Sequence, residues 1–161
     1  MLGAVMNGHP FFSAQVREDV KESPLTAMFP ADGFPLREEI YIFSDKDHRS
    51  ETNFHQTYDR SRLRVLLKID VEKSLGVQKT IADIGKNPND RYHGKLRDDK
   101  DYALSWIRRE GEGRVFYTVF GHDKSVYWNP AMVRHIMAGV QYALGDLSAD
   151  DSPSRMPLEE Q

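Results

Sequence analysis

Between Ala14 and Val20 apolar and polar residues alternate, the period of a strand with one face covered. A short apolar run at Ile40–Phe43 predicts a second strand, and "RVLLKID" (Arg64–Asp70) a third. Two further strand-like runs, "YALSWIRRE" (Tyr102–Glu110) and "RVFYTVF" (Arg114–Phe120), flank "GEG", a glycine-rich hairpin turn. The second of these is apolar on both faces, which predicts a central strand covered from either side. The period then changes. "NPAMVRHIMAGVQYALG" reads as a helix capped by Asn129, started by Pro130 and stopped by Gly145. Its apolar stripe is predicted to comprise Met132, Val133, Ile136, Met137, Val140 and Leu144.

The intervening stretches lack either period. "ESPLTAMFPADGFP" (Glu22–Pro35) holds three prolines and a glycine and reads as a loop. Ser44–Arg62 is polar and reads as a long surface loop, and Val71–Asp101 as mostly loop, broken by Gly85, Pro88 and Gly94. Such lengths in a compact domain point to function or mobility. The pattern places one domain over residues 1–147 and a disordered acidic tail, rich in Ser and Pro, over 148–161. A strand, a short loop and an amphipathic helix make the last βα unit of an open α/β sheet. Ligands bind such sheets beyond the carboxyl ends of the strands. Gly121 would turn the chain there and present His122.

Composition narrows the function classes. With 161 residues, 39% of them hydrophobic, one domain with a real core is expected. A net charge of −3 and a pI near 6.1 argue against a nucleic-acid partner. No window of about 18 apolar residues exists, so no membrane span is expected. The absence of cysteine removes disulfides, thiolate zinc sites and a cysteine nucleophile. The compartment stays open: cytoplasmic is the default, and "LGAVMNG", which reads either as the end of a helix or as a short turn, leaves an earlier signal segment possible.

Six segments come in the same order as in the ThuA-like (trehalose utilisation) family. They are "LGAVMNGHP", "SPLTAMFP", "EEIYIF", "RLRVLLKID", "SWIRREGEGRVFYTVFGHD" and "WNPAMVRHIMAGVQYALGDL". The chain resembles the carboxy-terminal two thirds of that family's domain from Leu2 to Leu147. The resemblance implies an α/β fold, the flavodoxin-like three-layer sandwich of class I glutamine amidotransferases, with amino-terminal strands missing. It also implies a part in using trehalose or a related keto-disaccharide, by histidine acid–base or metal-assisted chemistry. The alternatives are a non-catalytic sugar-binding or interaction module, or an inactive truncated fragment. A small sugar is the implied partner, and exposed strand edges allow a homo-oligomer. Amidotransferases keep a catalytic histidine before their last helix, where His122 stands. Their cysteine is missing here, as is a G-x-S-x-G elbow.

The candidate chemistry centres on His122 and His9. Each can act as a base or metal ligand, or as an ordinary loop or strand-end histidine. The resemblance matches Glu39 and Tyr41 to the family's D-E-x-Y motif, with Glu38 in place of its aspartate. Glu39 is expected either to orient a histidine or, with His9 and His122, to bind a divalent ion such as zinc. Tyr41, Tyr127 and Trp128 are candidates for sugar contact, the last two alternatively for a staple on the helix. His48, His55 and His93 read as surface residues, His135 as exposed, and Arg60, Arg62 and Arg64 as a solvated charged face.

Overall fold

A computed structural model describes residues 4, 6–20, 22–39, 41–43, 58–93, 96–97 and 99–154. The elements are β1 (Met6–Gly8), β2 (Phe11–Glu18), β3 (Phe34–Glu39), β4 (Ile42–Phe43), β5 (Arg64–Ile69), α1 (Leu75–Lys86), β6 (Ala103–Glu110), β7 (Gly113–Thr118) and α2 (Pro130–Leu144). Strands β3-β2-β5-β6-β7 form one sheet in that order, and β1 pairs with β4 in a small ribbon. The predicted strands around Ala14, Arg64, Tyr102 and Arg114 are all present. His48 and His55 lie outside the described residues.

The fold is mixed α/β, as expected, but every strand pair described is antiparallel. The described residues therefore do not make the parallel, three-layer sandwich that the resemblance implied. Local connections give the reason for one pair: a two-residue turn between β6 and β7 can only produce antiparallel neighbours. β7 lies at the sheet edge rather than its centre, and its residues from Arg114 to Thr118 are half-buried. Its apolar character is explained by cover on both faces, with Phe116 facing α2 and Tyr117 stacked on Trp106 at 4.2 Å. The central strands are β5 and β6, where Val65, Leu66, Leu67, Trp106 and Ile107 have no exposed surface.

Two elements lie where the sequence read as loop. β3 starts at Phe34 despite Pro35, because β3 is the other sheet edge and its outer side needs no ladder donor. α1 escapes a periodicity search because Gly76 and Gly85 dilute its apolar face to Val77, Ile81 and Ile84. Tertiary bonds fix its start. The Ser74 hydroxyl donates to the Asp70 carbonyl at 2.5 Å and accepts from the β2 Gln15 amide at 2.8 Å.

The ends of α2 match the expected punctuation. Asn129 Oδ1 accepts from the amides of Ala131 and Met132, and Gly145 turns left-handed at φ 94°. The inward face does not match the expected stripe. Met132, His135, Ala138, Gly139 and Tyr142 face the sheet, while Val133, Met137, Val140 and Leu144 face outward. Gly139 is required by contact: a Cβ there would lie 2.2 Å from the Phe116 ring, so the helix sits directly on β7. His135 is buried, not exposed. Its Nδ1 donates to the Leu25 carbonyl at 2.7 Å, and its Nε2 lies 3.0 Å from the Ser105 hydroxyl. Burial holds this imidazole down to about 4, only partly offset by the Leu25 carbonyl.

Arg60 also departs from the solvated face expected of it. It lies buried between two carboxylates, with Nη1 2.6 Å from Asp19 and Nε 2.6 Å from Asp101. Lys68 adds a second cation on Asp19, and the Tyr58 hydroxyl donates to Asp101. Burial alone would raise the Asp19 carboxyl, but Arg60 and Lys68 outweigh it and hold it below its ordinary value. Past α2 the chain returns over the sheet. Ser154 donates its amide to Leu63 and accepts from the Val65 amide, and Asp151 meets Arg109 and Tyr142.

Candidate functional site

The small ribbon, the end of β3 and the loop after β7 meet at one place. His9 follows β1, held there by the β1–β4 pairing and kept extended by Pro10. Glu39 ends β3. His122 stands just past the end of β7, after Gly121, whose φ of 133° suits glycine alone. A side chain at Gly121 would also strike the Tyr127 hydroxyl, since a Cβ there would lie 2.5 Å from that oxygen.

Glu39 lies between the two histidines. Its Oε1 accepts from His9 Nδ1 at 2.5 Å, and its Oε2 is 3.2 Å from His122 Nδ1. The carboxylate is 18% exposed, whereas the imidazoles are 42% and 60% exposed. Both rings are thus tethered at Nδ1 by one half-sheltered anion. A carboxylate that accepts a hydrogen bond from Nδ1–H favours the tautomer with its proton on Nδ1 and so orients the ring.

The neighbouring carboxylate has a different task. Glu38 follows the inward alternation of Phe34 and Leu36 along β3 and is fully buried. It accepts from its own neighbour's amide at Glu39, and from the amides of Gly121 and Asp123 at 3.2–3.4 Å. The His122 loop is therefore pinned on both sides of the histidine to the residue next to Glu39. Nothing in the sequence pattern marked this, because an acidic pair at a strand end ordinarily reads as solvated.

Tyr41 approaches His9 edge-on at 6.3 Å, and Tyr92 does so at 6.4 Å from a position the sequence pattern did not single out. Gly8 makes room for the Tyr92 ring, since a Cβ there would come within 2.8 Å of it. Burial first, then Tyr41, pushes the nearby Tyr117 phenol up to about 12. Tyr127 donates weakly to the Gly121 carbonyl at 3.5 Å. Trp128 is 82% exposed and lines an open hollow beside α2 with Tyr127, Pro130, Val133 and Arg134. His93 is exposed.

Among the described residues no group of three or more His, Asp or Glu is arranged to hold a metal ion. Glu39 contacts one nitrogen of each imidazole, an arrangement through which a carboxylate can orient both rings. Among the described residues no helix is long and apolar enough to cross a membrane.

A family model described as ThuA, trehalose utilisation, matches residues 1–143. The chain belongs to the ThuA family. Among curated proteins and among solved structures, neither comparison gives a match. Family membership points this ThuA chain to a role in trehalose utilisation. The matched region contains His9, Glu38, Glu39, Tyr41 and His122, so the whole carboxylate–histidine cluster lies inside it.

Proposed function

We propose that this ThuA protein acts on an oxidised (keto) form of trehalose or a related disaccharide, with His9 and His122 as an acid–base pair held by Glu39. The observation that carries the reading is the single carboxylate contacted by both Nδ1 atoms. Such sharing holds two imidazoles on one carboxylate, one to take a proton and one, as the imidazolium, to give it. A ketone in the sugar ring acidifies the neighbouring C–H. One imidazole removes that proton, the C–H electron pair becomes a carbon–carbon double bond, and the bond to the glycosidic oxygen breaks. The other histidine, present as the imidazolium, gives its proton to that oxygen as the second sugar leaves and becomes neutral. Glu39 supports either imidazolium as it forms, and Tyr41 offers a ring edge beside the sugar. Glu38 holds the loop that brings His122 into range.

The test is turnover of keto-trehalose by the wild type, His122→Ala and Glu39→Gln, followed by release of free sugar. A positioned acid or base contributes on the order of 10²–10⁴-fold, so each variant should lose activity on that scale. Equal turnover by wild type and His122→Ala would remove His122 from the chemistry. Calorimetric binding without any release would remove the acid–base step itself.

A further inference from the structure

A helix that covers a sheet in a free-standing domain keeps charged and polar residues on its outer side. α1 does so, with Lys79, Asp83 and Lys86 along its length. α2 does not. Its inner set is Met132, His135, Ala138, Gly139 and Tyr142, and its outer set is Val133, Met137, Val140 and Leu144. At 100° per residue the mean directions of the two sets lie roughly 165° apart, so the helix is apolar on opposite faces. Arg134 is the one Lys, Arg, Asp or Glu residue in Pro130–Leu144. A helix with apolar stripes on two opposite faces, flanked here by exposed Arg134 and Gln141, is one that expects cover on both sides.

The outer set has the spacing 4, 3, 4, the a/d seam of paired helices. It continues through Tyr127 and Trp128, which are 57% and 82% exposed. Leu144 at the far end is 73% exposed. Together these six side chains offer roughly 700 Å² of open surface, close to the about 800 Å² that each partner contributes to a standard stable interface. The largest apolar patch on a monomer is ordinarily about 300–600 Å², so this face stands at the upper end of what a monomer exposes.

We propose that the outer face of α2 is the interface of a homodimer, two copies of α2 packed antiparallel across a two-fold axis. Self-pairing fits the residues. A seam centred between Met137 and Val140 sets Met137 of one copy against Val140 of the other, and Val133 against Leu144. In that register Arg134 lies within a turn of the second copy's Asp146, and Trp128 covers the turn after Gly145. The sheet edges, which the sequence offered as the oligomer contact, are not needed for this arrangement.

Sedimentation equilibrium of the full chain tests it. The wild type should weigh twice the 18.6 kDa of one chain at tens of micromolar. Met137→Glu and Val140→Lys alter exposed positions, so each should keep its circular dichroism and fall to 18.6 kDa. Mixing the two variants should restore the double mass, because the register places the introduced carboxylate against the introduced ammonium. A wild type that remains at one chain's mass would overturn the proposal and leave the face to a different protein. Folded variants that still pair, or a mixture that stays monomeric, would overturn it equally.

Discussion

Replacing His135 with glutamine should flatten the dependence of stability on pH between 7 and 5. In the folded chain this imidazole is held near 4 by burial, against 6.5 for an ordinary histidine. The unfolded chain therefore binds a proton more readily than the folded chain does. The stabilisation due to the neutral ring is fully present above pH 6.5 and is lost as pH falls from 6.5 toward 4; below that both states are charged and no more is lost. The full span is on the order of 3 kcal/mol, of which about 2 kcal/mol is lost between pH 7 and 5. The structure accounts for the direction. Nδ1 donates to the Leu25 carbonyl, while Phe29, Phe116 and Phe120 surround the ring at 5.3–6.2 Å and offer a second charge little solvation. Urea unfolding at pH 7 and pH 5 is the assay, read through the fluorescence of buried Trp106. Carboxylates titrate alike in wild type and His135→Gln, so the difference between the two pH slopes isolates this ring. Equal losses of stability in both proteins would refute the reasoning.

Arg60→Met should destabilise by about 3–5 kcal/mol, seen as a lower urea midpoint, because Asp19 and Asp101 would lose the buried cation that both oppose. A midpoint within error of wild type would show those carboxylates reach water. Glu38→Ala should cost about 1–3 kcal/mol by leaving the Gly121 and Asp123 amides without their acceptor. It should also speed hydrogen exchange at those two amides, and unchanged exchange would mean the His122 loop is held by something else.

The hydrophobic pattern located β2, β5, β6, β7 and α2 because each is bounded by turn chemistry that acts within a few residues. The turn at Gly111, the Asn129 cap and the left-handed Gly145 are local devices, and local devices are written in local sequence. His122 could be named as a candidate because it stands where an apolar run ends and the chain must turn, His9 because it follows a glycine stop, and Glu39 through the resemblance to the family's D-E-x-Y motif. Their meeting could not be read, because Glu39 is 30 residues from His9 and 83 from His122; pairing across β1–β4 and β2–β3 closes the first distance, and the Gly121 and Asp123 amides on Glu38 close the second.

Four other features depended wholly on the tertiary structure. Glu38 is buried because β3 turns alternate side chains inward and the His122 loop supplies the amides that replace water. Arg60 is buried because two carboxylates, 41 residues away on either side, converge on it. The strand arrangement is antiparallel because pairing is decided by how segments return, which a one-dimensional pattern does not record. The inward side of α2 was misjudged for a simple physical reason. Periodicity shows that a helix has an apolar face; when both faces are apolar, only the position of Gly139 against Phe116 decides which one meets the sheet.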